Sequence, residues 1–246
     1  MKERDASLSP RGDAFAYTLQ GAQGTAIVLV ERRGEAWGAP ELAPFSAEFA
    51  DIEPCFDPRG ERLWFASQRP LLGEDEPGDW NLWTVDYARG ASGLSWSEPK
   101  EVFPLNGPGD EFYPSVSREG EVAFTAEREG GRGGEDVWLA RFGGGGWTTL
   151  NFGPGVNSAG PEFNACLRPD GTFGPARVWS ALNSPFLDYC PSFSPDGAVL
   201  WFTSNRRAPR EHEGRWPTLD ALLPAQLAPG NGAGDLYWVS TRALDD

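Results

Sequence analysis

Histidine is almost absent from this chain of 246 residues; the single one is His212. That excludes His-rich metal sites and any mechanism needing two imidazoles. Methionine also occurs once. Cysteine occurs three times, at Cys55, Cys166 and Cys190, with no Cys-x-x-Cys spacing. The odd count and the missing spacing argue against a disulfide framework and against structural zinc. No apolar run reaches 18 residues, so no membrane span is expected. The opening MKERDASLSP lacks the apolar stretch of a secretory signal. Basic residues are few: 21 Lys and Arg against 36 Asp and Glu give a formal charge of −15. Nucleic acid and anionic membrane surfaces, which need a positive patch, are poor partners for such a chain. Glycine (31), proline (22) and tryptophan (11) are plentiful. The length suffices for a sizeable core, and the glycine and proline predict frequent turns.

The dominant feature is an internal repeat. DYCPSFSPDGAVLWFTSNR at 188–206 echoes DIEPCFDPRGERLWFASQR at 51–69 and EFYPSVSREGEVAFTAER at 111–128. A weaker copy, ERDASLSPRGDAFAYTLQ, spans 3–20, and a fifth start, EFNACLRPDG, spans 162–171. Each unit reads as a short extended segment, a Pro-Asp-Gly-type turn, and an aromatic strand such as Leu63-Trp64-Phe65 or Leu200-Trp201-Phe202. A polar loop and a third strand follow, at Asn81-Leu82-Trp83, Asp136-Val137-Trp138 and Asp235-Leu236-Tyr237. A Gly-then-Trp turn opens a fourth strand at Trp37, Trp96 and Trp147. Four short strands per unit describe a propeller blade. The expected fold is therefore all-β, a β-propeller of about five four-stranded blades in one domain over 1–246. Only Leu219–Leu223 reads as helical.

The SFSPDG…LWFTSNR…DLYWVS pattern resembles the TolB-like (WD40-like) β-propeller repeat, over nearly the whole chain. The resemblance implies a propeller and, since relatives of this kind are often exported, a periplasmic or extracellular setting. Its members include assembly proteins and peptidase gating domains. They share no catalytic residues, so none is carried over.

The first acid of each unit, at Glu3, Asp51, Glu111, Glu162 and Asp188, serves as a ruler, with spacings of 48, 60, 51 and 26. The blades are expected at 3–50, 51–110, 111–161, 162–187 and 188–246. The fourth is truncated, because Asp170-Gly171 runs straight into Thr172-Phe173-Gly174-Pro175 and leaves no room for strands two and three. The insertion 207–234 is the expected filler of that gap. The last unit ends after its third strand, and too little chain precedes the first to supply a closing strand. Closure is therefore expected to be imperfect, with an exposed edge at 235–242 open to self-association.

Alternating strand directions bring three repeated polar positions to one face. These are the ruler acids Glu3, Asp51, Glu111, Glu162 and Asp188; the residues five earlier, Ser46, Asn106, Asn157 and Asn183; and the ends of strand two, Arg69, Arg128 and Arg206, with Gln20 in the first unit. As a functional set they form an acidic channel mouth for a protein or peptide with a cationic segment, or for a hard cation such as Ca2+. As a structural set, each Asn caps its turn and each acid pairs with an Arg. Five acids face three arginines, and that surplus points to Glu162 and Asp188 as candidate metal ligands. The cysteines read as buried thiols. Trp80, Trp179 and Trp216 fall off the repeat and are the candidates for exposed stacking.

The expected role is a non-catalytic propeller that binds a partner. Gly93-Leu94-Ser95-Trp96-Ser97 lacks the final Gly of a nucleophile elbow, and Ser-Pro-Asp-Gly is one residue too short for a sialidase box. A carboxylate-based glycoside hydrolase is the alternative. It requires a deep cleft with two unpaired acids, whereas a shallow mouth of Arg-paired acids speaks for binding.

Overall fold

The computed structural model describes residues 2–171, 179–180, 182–207 and 233–244. Its strands form four antiparallel sheets, one per unit except the fourth. The first contains β1 (Lys2–Leu8), β2 (Ala14–Gly21), β3 (Gly24–Arg33) and the short β4 (Ala36–Trp37) and β5 (Glu41–Leu42). The second contains β6 (Asp51–Phe56), β7 (Arg62–Ser67), β8 (Asn81–Gly90), β9 (Gly93–Trp96) and β10 (Lys100–Glu101), the last two dividing the edge of β8 between them. The third is β11 (Glu111–Val116), β12 (Val122–Ala126), β13 (Asp136–Gly143) and β14 (Gly146–Asn151). The last is β15 (Asp188–Phe193), β16 (Val199–Ser204) and β17 (Asp235–Ser240). No helix among the described residues is long and apolar enough to cross a membrane.

The propeller class is as expected, but the count of blades is corrected to four sheets. Unit four contributes no strand among the described residues, yet its first segment keeps its place in the ring. Each inner strand carries a bulge two residues after the ruler acid, where the residue adopts a left-handed backbone: Asp5 (φ 61°), Glu53 (60°), Tyr113 (53°) and Cys190 (53°). Asn164, at the same position of unit four, has φ 64°. Non-glycine residues seldom adopt this conformation. Its recurrence five times marks five equivalent segments around one axis.

Hydrogen bonds between units hold these segments. The Phe56 amide donates to Ser7 Oγ at 2.9 Å, and the Leu167 amide donates to Ser115 Oγ at 2.8 Å. Cys55 and Cys166 stand at the Ser7 position in their own units, and their sulfurs face the amides of Val116 and Phe193. A second set ties the bulge to the preceding unit: the Glu53 amide donates to Thr18 Oγ1 at 2.8 Å, and the Asp5 amide to Thr203 Oγ1 at 3.4 Å. In unit two the corresponding Thr is Ala66, and the Tyr113 amide turns instead to Glu53 Oε2 at 2.6 Å. The Asp5–Thr203 bond, with the Glu3 amide donating to the Gly234 carbonyl, joins first unit to last. The ring is thus joined at its inner strands, while the outer edge of the last sheet has no closing strand among the described residues.

Strand two is buried on both faces in β7, between two sheets, and in β12, between a sheet and the inner segment of unit four. Between units one and two pack Ile27, Leu29, Phe56, Leu63 and Phe65; between two and three, Trp64, Leu82, Val122, Phe124 and Trp138. Toward unit four, among the described residues, the cluster is smaller: Ala123, Leu139, Leu167 and the partly buried Phe152. At about 1.5–3 kcal/mol per fully buried large side chain, these two interfaces contribute more than the one toward unit four. At the other end β17 pairs only with β16 among the described residues, and Trp238 is 66% exposed. The helical expectation at 219–223 and the filler role of 207–234 fall almost wholly outside the described residues.

Burial sets the mutational costs. Phe124→Ala is expected to lower unfolding stability by about 3–5 kcal/mol, while Trp238→Ala changes it by about 0.5 kcal/mol or less. Denaturant titration monitored by circular dichroism checks both, and equal losses would contradict the assignment of the core.

Candidate functional site

The ruler acids enter their own blades rather than the channel. Asp51 is fully buried; Arg69 Nη2 donates to its Oδ1 at 2.7 Å and Ser46 Oγ to its Oδ2 at 2.8 Å. Glu111 is equally enclosed, accepting from the Gly107 amide at 2.9 Å and from Arg128 Nη2 at 2.5 Å. Burial raises the Glu111 carboxyl above its usual range, against the pull of Gly107 and Arg128. Asp188 accepts from Ser204 Oγ at 2.5 Å, the Ser184 amide at 2.5 Å and Arg206 Nη2 at 2.9 Å. Burial pushes Asp188 upward too, but hydrogen bonds from Ser204, Ser184 and Arg206 prevail and hold it below the usual carboxylate range. Glu162 accepts from the Ser158 amide at 2.7 Å and from the Ser158 hydroxyl.

The arginines are equally committed. Each also donates to a linker carbonyl, of Phe45, Leu105 or Leu182, and lies over the aromatic rings of its blade, such as Phe65, Phe124 and Phe202. Asn106 clamps Leu82, accepting from its amide at 2.8 Å and donating to its carbonyl at 3.1 Å; Asn157 does the same to Val137 at 3.0 and 2.9 Å. Ser46 accepts from the Ile27 amide at 3.0 Å. Asn183 is exposed, and its backbone amide donates to the Trp179 carbonyl at 3.4 Å. These residues therefore form a clasp in units two, three and five, fastening linker, inner strand and strand two. The picture of a converging oxygen ring is corrected accordingly. No group of three or more His, Cys, Asp or Glu suited to a metal occurs among the described residues, so Glu162 and Asp188 have no third ligand of those types.

The axis itself is lined by the residues at and after the bulge. Asp5, Glu53, Tyr113, Asn164 and Cys190 surround a cavity of about 40 Å³, room for little more than a water molecule. Arg4 Nη1 lies 3.1 Å from Asp5 Oδ2 and 3.5 Å from Glu53 Oε1. Burial, then repulsion from Asp5, pushes the Glu53 carboxyl up to about 8 against the pull of Arg4; Asp5 is raised by burial as well. Burial raises Tyr113 and Cys190 too, keeping phenol and thiol neutral. Reading for repetition misses this cluster, because the position differs in every unit. The signal was that variation, beside the otherwise regular Pro or Ala.

All three cysteines are free thiols. Only Cys190 is buried; Cys55 and Cys166 are half-buried on the cavity wall, with thiols pushed by burial up to about 12 and about 11. Trp80 and Trp179 are half-buried rather than exposed, and Trp216 lies outside the described residues. Among the described residues the exposed tryptophans are Trp37 and Trp238.

The face holding the inner-strand starts also carries the loops between strands two and three. Its exposed acids include Glu74, Asp75, Glu76, Asp79, Glu127 and Glu129, against Lys2, Arg132 and Arg207 among the described residues. On the opposite face the exposed turn charges are mixed, with Arg11, Arg59, Arg118 and Arg168 beside Glu61, Glu119, Asp170 and Asp196.

No family model and no curated protein sequence matches the chain. Among solved structures, it is similar to TolB from Acinetobacter baumannii (TM-score 0.43, 16% identity, 85% of this chain and 38% of that one). It is similar also to a putative TolB from Agrobacterium tumefaciens (TM-score 0.46, 20% identity, 70% and 56%). A third similarity is to a puromycin-hydrolyzing peptidase from Mycobacterium tuberculosis (TM-score 0.40, 15% identity, 83% and 26%). The chain thus spans less than two thirds of the length of each. The propeller class rests on the sheets and ring described above.

Two outcomes follow from these contacts. Arg69→Ala strands a fully buried carboxylate and is expected to cost about 3–5 kcal/mol in equilibrium unfolding. Arg206→Ala, beside the more accessible Asp188, is expected to cost less. The Glu53 carboxyl binds its proton more tightly in the folded chain, so its contribution is complete below the unfolded value near 4.5 and is lost as pH rises through about 8. Melting temperatures recorded from pH 5 to 9 should therefore fall less for Glu53→Gln than for the parent. Parallel curves would contradict the assignment.

Proposed function

We propose that this protein is a non-catalytic propeller whose acidic face binds a protein or peptide through a cationic segment. The observation that carries the reading is the unequal charge of the two faces among the described residues: acids dominate the loops beside the inner-strand starts, while the opposite turns are balanced. Such a surface speeds encounter with positive partners and repels negative ones. The pairing of Asp51, Glu111 and Asp188 with arginines also supports binding over acid–base chemistry, because those acids are already committed to the fold. The axial pair Asp5 and Glu53 borders a cavity of about 40 Å³, too small for a sugar ring. The setting implied by the repeat, periplasmic or extracellular, belongs to the same proposal.

A fluorescent oligolysine peptide, followed by anisotropy, tests the reading. Binding is expected at low ionic strength and should weaken steeply as salt approaches the point where the Debye length is about 8 Å. The triple variant Glu74→Lys, Asp75→Lys, Glu76→Lys should weaken it by about tenfold or more, whereas Glu61→Lys with Glu119→Lys on the opposite face should not. Equal loss from both variants, or no binding by the parent, would overturn the proposal.

A further inference from the structure

In three of the four sheets the third strand is covered along its outer edge at three backbone positions, two residues apart. At the first, the amides of Ile27, Leu82 and Val137 donate to Ser46 Oγ, Asn106 Oδ1 and Asn157 Oδ1 at 3.0, 2.8 and 3.0 Å. At the second, Leu29 stands opposite Glu41, Thr84 opposite Lys100 and Leu139 opposite Leu150 in the outermost strands. Leu29, Thr84 and Leu139 are buried, at 5%, 7% and 4% exposure. At the third, the Glu31 carbonyl accepts from the Gly38 amide at 2.8 Å, the Asp86 carbonyl from the Ser97 amide at 2.9 Å, and the Arg141 carbonyl from Thr148 Oγ1 at 3.3 Å.

In β17 the register with β16 puts Leu236, Trp238 and Ser240 at these positions. None has a hydrogen-bond partner on its outer side among the described residues, where β17 pairs with β16 alone. Trp238 is 66% exposed at the position that is buried in the other three sheets. The strand reads Asp-Leu-Tyr-Trp-Val-Ser, without lysine, proline or bulge. The outermost strands of units one and two are interrupted at Pro40 and Pro99, and that of unit three carries the exposed Thr148 and Thr149. A continuous apolar edge with open N–H and C=O groups is a template for another strand.

This edge is complementary to itself. Its outward residues are centred on Trp238, so an antiparallel strand of the same sequence pairs Trp238 with Trp238 and Leu236 with Ser240, and satisfies the outward groups of both strands. Opposed aromatic residues are favourable cross-strand pairs. Antiparallel pairing also sets the start of one β17, on the acidic face, beside the exposed Arg242 that follows the end of the other. Parallel pairing would instead set two acidic faces side by side. We propose that this chain forms a two-fold dimer in which the β17 edges pair antiparallel, each giving the last sheet of the other a fourth strand.

Sedimentation equilibrium of the full chain tests this. The parent should show a concentration-dependent monomer–dimer equilibrium. Trp238→Lys, at an exposed site, should keep the parent's circular dichroism and raise the dimer dissociation constant about tenfold or more. Ser240→Pro, which keeps Trp238 and removes one outward N–H, should do the same. Leu150→Lys, on the edge of β14, should leave the equilibrium unchanged. Cross-linking reads the register: an oxidised equimolar mixture of Leu236→Cys and Ser240→Cys chains should yield a disulfide-linked dimer with one of each, and neither variant alone should. The parent, whose own cysteines lie around the axis, is the blank. A parent that stays monomeric, its edge taken by another segment or another partner, would overturn the proposal. So would a dimer that either edge variant leaves intact, or cross-linking by each cysteine variant alone as readily as by the mixture.

Discussion

A ring of short segments must satisfy its own backbone at the axis, where no sheet neighbour is available to each strand's inner edge. Here one residue in each of the first four units does this. Ser7 and Ser115 accept an amide from the next unit, and Cys55 and Cys166 hold the same place with sulfur. The left-handed bulge beside each turns the following amide into reach. Sheets then grow outward from this belt. That order of dependence explains how unit four keeps its seat at the axis through Leu167 and Cys166 while contributing no strand among the described residues. The belt needs inner segments; it does not need complete blades.

The repeated acid illustrates how repetition and function part company. A residue that recurs in every blade is solving a problem every blade has. For Asp51, Glu111 and Asp188 the problem is to fasten a linker to the start of the inner strand, and an arginine fork reaching both carboxylate and linker carbonyl does it. The aromatic rings beneath each arginine explain why strand two ends where it does. Such a clasp consumes the lone pairs that a ligand would need.

The fold class was legible because turn chemistry and aromatic strands recur with the spacing of blades, and the paired acids and arginines were legible as one of two readings. The number of sheets was not. In unit four the inner segment has the right sequence, EFNACLRPDG, but a segment becomes a strand only when a second one pairs with it. The axial cluster was missed for the opposite reason. Its members Asp5, Glu53, Tyr113, Asn164 and Cys190 share a backbone conformation and no chemistry, so a search for recurring side chains passes over them. Trp80 and Trp179, expected to be exposed, are half-buried while Trp37 and Trp238 are exposed, because the repeat gives a residue's place in its strand, not whether a neighbouring strand covers it.

These outcomes suggest where specificity resides in a repeat of this kind. Positions that keep their chemistry build the scaffold; positions that keep only their geometry are free to differ. The bulge residue is one such position, with Arg4 balancing two raised carboxylates where other units carry a phenol, an amide or a thiol. The residue opening strand three is another, neutral as Asn81 and acidic as Asp136 in the same backbone setting. The loop between strands two and three is the third, differing in length and charge from unit to unit while its ends stay clasped. A propeller can therefore change what it binds by changing these positions, leaving the belt and the clasps as they are.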